Sequence, residues 1–278
     1  MTPVKPSVTH VIPKGKYVGG VTSLGNEVFV VRRYSQHIEV YDAVTFTLQR
    51  CLAVPQLGPW PFGIAVCSSN KCLYASDYDK SSVHRVELSG RNAVMKWSVA
   101  RYPAGLTVNS AQNLLVVSKG DSVLQEFTTY GALLQNIPLH LDRPTGRPWH
   151  AIDLPSGQFV VSTSTTLHSV CLVDANGAVI RSYEGQKGSQ LTEMNGAAGL
   201  AMDRHGNILV ADELNNRLLV IDHSLSSAHE MSVSVDGGMN GPDTLWYDKS
   251  RDRLYIGEWR GGRVIVIDHL KNFNTSQV

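Results

Sequence analysis

Gly199–Asp222 reads GLAMDRHGNILVADELNNRLLVID. A short apolar segment leads into a His-Gly-Asn turn, then a second segment ILVAD, a polar loop ELNN and a third segment RLLVID. The turn carries the Gly and Asn that tight hairpins favour, and the flanking runs are too short for helices. This is a three-strand antiparallel meander. The stretch TLWYDKSRDRLYIGEWRGGRVIVID, Thr244–Asp268, repeats it. Shorter copies begin at Gly63 (GIAVCSSNKCLYASD), Gly105 (GLTVNSAQNLLVVS) and His150 (HAIDLPSGQFVVST), and the first copy begins at Gly20 (GVTSLGNEVFVVR).

The second strand of each copy closes on Arg32, Asp77, Ser118, Thr163, Asp212 or Glu258, at intervals of 45, 41, 45, 49 and 46 residues. A period near 45 with several short strands per unit is that of a propeller blade. Val28-Phe29-Val30-Val31 and Val264-Ile265-Val266-Ile267 are β-branched runs without helical spacing, which excludes an α-solenoid. The first five units add a fourth segment, at Thr47–Leu52, Val94–Val99, Leu133–Leu139, Val179–Tyr183 and Glu230–Val235. The sixth lacks one. Val8–Ile12 precedes the first unit and belongs to none, so pairing it with the last blade would close the ring and remove two open sheet edges.

The expectation is an all-β, six-bladed β-propeller forming one domain. Residues 1–13 supply the closing strand, and the blades span 14–55, 56–100, 101–140, 141–186, 187–236 and 237–278.

With 42% hydrophobic and 18% charged residues, the 278-residue chain has material for a core and is too apolar for disorder. A net charge of +1 leaves nucleic-acid binding to a local patch. No apolar run approaches the ~18 residues of a membrane helix. The first ten residues lack the pattern of a secretory signal, and four cysteines are too few for a disulfide scaffold, so a reduced, cytoplasmic protein is expected. Cys67 and Cys72 flank one hairpin and are read as thiols rather than a bridge. Asn274-Thr275-Ser276 spells a glycosylation sequon.

Gly199–Asp222 resembles the NHL repeat, with its Gly-x-Ala-x-Asp opening, His-Gly-Asn turn, Val-Ala-Asp strand end and Asn-x-Arg entry to the third strand. The overall pattern resembles the C-terminal propeller of tripartite-motif (TRIM-NHL) ubiquitin ligases. That resemblance implies a domain that recruits targets, protein or RNA, for a RING domain carried elsewhere. The Cys and His spacing of a zinc cross-brace is absent from this chain, so ligase chemistry is not expected in it.

In such a ring, the loops between second and third strands share one face, here called the top, with the loops joining successive blades. Asp212–Arg217 and Glu258–Arg263 are read as loop-pinning pairs. Arg32 holds the acidic position of its unit with His37 opposite, so it reads as unpaired. With Arg33 and Tyr34, and with Trp259 and Arg260 from the blade that closes beside it, it would form a basic, aromatic corner. Arg101, Lys119, Arg143 and Arg147, with Tyr102 and Trp149 interleaved, would form a second. Such groups suit a protein or peptide partner, and they also suit single-stranded RNA. Acids on the same face, among them Asp77, Asp121, Asp142 and Glu213, weaken the RNA reading.

Related propeller lyases and hydrolases imply clustered His, or Glu, Asn and Asp, as metal ligands at the channel mouth. Here only His150 stands at an inner-strand start, where it reads as a channel-lining hydrogen-bonding residue or, alternatively, a catalytic base. A binding platform without catalytic activity, metal or cofactor is the expectation, with a propeller enzyme as the outlying alternative.

Overall fold

A blade's second strand has no face left for water, and this explains its unbroken apolar sequence. Phe29 and Val31 pack with Ile64, Val66, Leu73 and Ala75 of the second blade. Val28 and Val30, on the opposite face, pack with Tyr255, Val264 and Val266 of the sixth. The same sandwiching recurs around the ring in a computed structural model, which describes residues 6–90, 92–141, 146–164, 168–184 and 194–270.

Those residues form six four-stranded antiparallel sheets, so the fold is the all-β, six-bladed propeller. The inner strands are Val18–Leu24, Ile64–Cys67, Pro103–Val108, Pro148–Asp153, Ala197–Met202 and Pro242–Asp248. Val8–Ile12 pairs antiparallel with Val264–Asp268 as the outer strand of the sixth blade, with Ile12 opposite Val264 and fully buried. The expected closure is what the ring uses. The fifth outer strand starts two residues earlier than expected, at Ala228–Met231. Its turn is wound on Asp222, whose carboxylate accepts from the amides of Ser224 (2.8 Å) and Ser227 (2.6 Å). No helix among the described residues is long and apolar enough to cross a membrane.

The inner strands converge so closely that glycine is required where they touch. A Cβ on Gly63 would lie 2.6 Å from the carbonyl oxygen of Ala104, and one on Gly199 would lie 2.7 Å from that of Asp243. Hydroxyls stitch neighbouring blades together: Ser76 Oγ donates to Ala104 O (3.1 Å) and Ser162 Oγ to Ala198 O (2.5 Å).

In most blades the residue closing the second strand pins the inter-blade loop. Asp77 accepts from the Gly58 amide (2.9 Å), Asp212 from Asn195 (2.7 Å) and Glu258 from Asn240 (2.8 Å). Arg217 and Arg263 complete their pairs at 2.8 and 2.7 Å, as expected. Arg32 corrects the sequence reading, because it is not unpaired. Its Nε donates to Glu39 at 2.7 Å, and Nη1 donates to the carbonyls of Lys16 and Gly262, each at 2.8 Å. The acid comes two residues beyond His37, on the same face of the third strand. The pin is therefore preserved with its polarity reversed, and it ties the first blade to the sixth.

All four cysteines are thiols, and Cys67 and Cys72 are buried directly opposite each other.

Two substitutions test the closure. Ile12→Ala empties a buried site at a cost of about 2–5 kcal/mol. In a domain of this size that lowers Tm by roughly 4–20 °C, at about 2–4 °C per kcal/mol. Arg32→Ala leaves the Glu39 carboxylate with the Tyr41 hydroxyl but no counter-charge, costs about 3 kcal/mol and lowers Tm comparably. Thermal unfolding followed by circular dichroism measures both, and an unchanged Tm in either variant contradicts the role assigned to that residue.

Candidate functional site

Two rings of equivalent positions build the top mouth of the channel. The lower ring lies at the entry to the inner strands, one residue inside five of them and two residues before the second blade's: Gly19, Phe62, Ala104, Trp149, Ala198 and Asp243. In five blades the pairing slips at this point, between 18 and 20, 103 and 106, 148 and 150, 197 and 200, and 242 and 244. Such a bulge re-aims a side chain that strict alternation would direct elsewhere. The upper ring follows the second-strand closing residue, in five blades Arg33, Tyr78, Lys119, Glu213 and Trp259. Three small residues below leave room for long, charged side chains above.

Arg33 occupies the middle of this arrangement, with its side chain only 4% exposed. Its guanidinium lies 4.1 Å from the ring centre of Phe62, 5.3 Å from Trp60 and 5.2 Å from Trp259, a cation in an aromatic cage. Its charge partner is Asp243 at 3.8 Å, equally buried. Neither Arg33 Nε, Asp243 Oδ1 nor Trp259 Nε1 has a hydrogen-bond partner. Burial pushes the Asp243 carboxyl up to about 7 despite Arg33. Burial also raises Glu213, against the pull of Arg260 at 3.5 Å. Lys119 stands 4.0 Å above the Trp149 ring, and burial, reinforced by the Arg147 charge, brings its ammonium down to about 8. Two side chains thus change protonation near neutrality in one desolvated mouth, a pattern typical of sites that move protons.

Beneath lies a channel of about 350 Å³. Ile64, Leu106, Ile152, Leu200 and Leu245 give it apolar walls, with Phe62, Trp149 and Asp243 at the upper end and Asp153 and Lys249 at the lower. His150 sits in the wall between three blades. Its Nδ1 accepts from the Leu200 amide (3.0 Å), and Nε2 reaches Thr107 Oγ1 (3.1 Å) and Leu106 O (3.3 Å). Burial lowers it to about 4, so the ring is neutral with both nitrogens engaged.

The structure brings Arg33, Lys119, Trp149 and Trp259 together at the mouth. Tyr34, at 5.0 Å from Trp60, and Tyr102, stacked on Tyr78 at 4.9 Å, form an exposed rim. Arg32 is withdrawn into the blade junction, and the exposed Arg101 turns to Asp121 at 2.6 Å. Arg260 spans Trp259 and Glu213. Arg147 is exposed, with its charge felt by Lys119 and Tyr78. Arg143, Asp142 and the 274–276 sequon lie outside the described residues.

Sequence reasoning missed Asp243, Phe62 and Trp60 and treated Glu213 only as a surface acid. Reading the column beside the inner-strand glycines would have found Asp243, the one acid among Gly, Phe, Ala, Trp and Ala. A metal does not fit the donor set: among the described residues no three His, Cys, Asp or Glu converge, and Asp243 faces Arg33.

The raised Asp243 has a stability signature. An unfolded Asp ionises near its ordinary value of 3.8, the folded one near 7. Between those values the folded chain holds a proton that the unfolded chain releases, so this contribution is present below pH 4 and lost as pH rises through 7. Asp243→Asn, which mimics the protonated form, should therefore match the wild-type Tm at pH 4 and exceed it by several degrees at pH 8. A variant less stable than wild type at pH 8 would contradict the assignment.

The sequence of residues 60–274 matches the model of a protein family described as the SMP-30/Gluconolactonase/LRE-like region. No curated protein matches the chain. Among solved structures, a virginiamycin B lyase from Staphylococcus aureus is similar at TM-score 0.66 and 10% identity, covering 90% of this chain and 80% of that one. A Bacteroides thetaiotaomicron VPI-5482 protein of unknown function gives TM-score 0.73 at 16% identity, over 92% and 70% of the two chains. The WD40 propeller domain of Doa1 gives 0.65 at 11%, over 95% and 97%. At these identities the structural likenesses speak for the fold alone. The family match spans most of the sequence, and the chain belongs to the SMP-30/gluconolactonase/LRE-like family.

Proposed function

We propose that the top mouth of the channel is a small-molecule site with acid–base chemistry, in which Asp243 moves the proton. The observation that carries this is the buried Asp243 carboxyl itself. One of its oxygens has no partner, and it titrates near neutrality at the head of an apolar channel. A base is most useful when its pKa lies near the working pH. Arg33, 3.8 Å away, orients the carboxylate, and the channel walls receive the substrate's apolar body while excluding water. The gluconolactonase in the family's name supports cleavage of a small ester or lactone as the reaction class. In that reaction the Asp243 carboxylate would take a proton from water as its oxygen adds to the carbonyl. The carboxylic acid would then return that proton to the departing alkoxide.

A second reading, target recruitment on the model of TRIM-NHL propellers, draws support from the rim, where Tyr17, Tyr34 and Tyr102 are each more than 40% exposed. Such tyrosines suit a protein or peptide hot spot. RNA is less well served, because Arg32, Arg101 and Arg260 are each committed to an acid of this chain.

A panel of small esters and lactones separates these readings. Acid–base catalysis predicts turnover that rises through pH 7 and falls by about 10²–10⁴-fold in Asp243→Asn, with Tyr34→Ala and Tyr102→Ala unaffected. Wild-type turnover in Asp243→Asn would refute the role of the carboxyl. Loss of a protein partner on removing the rim tyrosines would favour recruitment.

A further inference from the structure

We infer that the molecule this site takes is an organic anion, a small apolar body bearing a carboxylate or phosphate group seated against Lys119 and Arg33. This rests on the mouth being a small-molecule site, and the argument comes from what the mouth lacks. Its two acids are already matched, Asp243 by Arg33 at 3.8 Å and Glu213 by Arg260 at 3.5 Å. Among the described residues Lys119 has no acid in ion-pairing contact, only the Trp149 face at 4.0 Å. Among the fully buried polar atoms of the mouth, two donors, Arg33 Nε and Trp259 Nε1, lack acceptors, and one carboxylate oxygen, Asp243 Oδ1, lacks a donor. Buried donors without acceptors are costly, and an oxyanion supplies several acceptor lone pairs at once, in charge-assisted bonds.

An organic cation is a poor fit. The aromatic faces that would hold it are occupied by the chain's own cations, with Arg33 over Trp60, Phe62 and Trp259 and Lys119 over Trp149. The apolar channel directly below Phe62 and Trp149 offers the ligand body about 350 Å³.

The groups facing the mouth are Asp243, Glu213, Lys119, the guanidinia of Arg33, Arg147 and Arg260, and the phenols of Tyr17, Tyr34, Tyr78 and Tyr102. As pH rises from 6 to 9, Asp243 gains negative charge and Lys119 loses positive charge. Both changes oppose an anion.

The test is tryptophan fluorescence, which reports on Trp60, Trp149 and Trp259, titrated with benzoate, phenyl phosphate, benzyl alcohol and benzylammonium. At pH 6 the two anions should bind more tightly than the alcohol or the amine, and their affinity should fall at least about tenfold at pH 9. Lys119→Gln should weaken the anions about tenfold and leave benzyl alcohol unchanged, with Lys119→Arg restoring them. The pH series on the wild-type protein decides the matter even if a variant misfolds. Preferential binding of the alcohol or the amine, or an anion affinity that does not change with pH, overturns the inference alone. Failure of all four compounds to bind overturns the small-molecule reading and the inference with it.

Discussion

Six inner strands must meet around a channel so narrow that the backbone of one touches the backbone of the next. That close approach forbids a Cβ at Gly63, Gly105 and Gly199 and leaves hydroxyls such as Ser76 and Ser162 to bridge the carbonyls between blades. It also bulges five inner strands at their entry. The bulge is what turns Trp149 and Asp243 toward the mouth, so the site's geometry follows from the packing of the barrel wall beneath it.

The charges at the mouth are held against their own solvation. A buried Asp near neutrality, a depressed Lys and a guanidinium without a bond for its Nε are each unfavourable, and their mutual attraction offsets only part of the desolvation. The blade junctions use the same residue types differently. Asp212 with Arg217, and Glu258 with Arg263, are closed by short hydrogen bonds and serve the frame. These two frame pairs are satisfied, whereas the Arg33–Asp243 pair at the mouth keeps Arg33 Nε and Asp243 Oδ1 without partners.

The fold was legible because a blade's signature is local: strand, turn and strand recur within one unit, and the orphan Val8–Ile12 had only one edge to join. The site was legible in part. Arg33, Lys119, Trp149 and Trp259 were visible as chemistry placed on one face. Asp243 was not, because alternation assigns a strand residue to a face by counting from its neighbours, and a one-residue bulge inverts the count. Arg32 was misread for a related reason. The repeat fixes where a pin is needed but not which end carries the charge, so exchanging Asp–Arg for Arg–Glu keeps the function while breaking the sequence pattern.

Arg33 and Asp243 stand 3.8 Å apart, yet they come from the first and sixth blades, and the strand that locks those blades together pairs Val8 with Ile267. Contacts of such sequence separation form late in folding. During synthesis the first blade must wait, with one apolar face uncovered and Val8–Ile12 unpaired, for the sixth to emerge. A partly made chain can hold five well-packed blades and still have no site, since the carboxyl and its guanidinium meet only on completion. The proposed acid–base pair is thereby assembled only when the first and sixth blades have both folded.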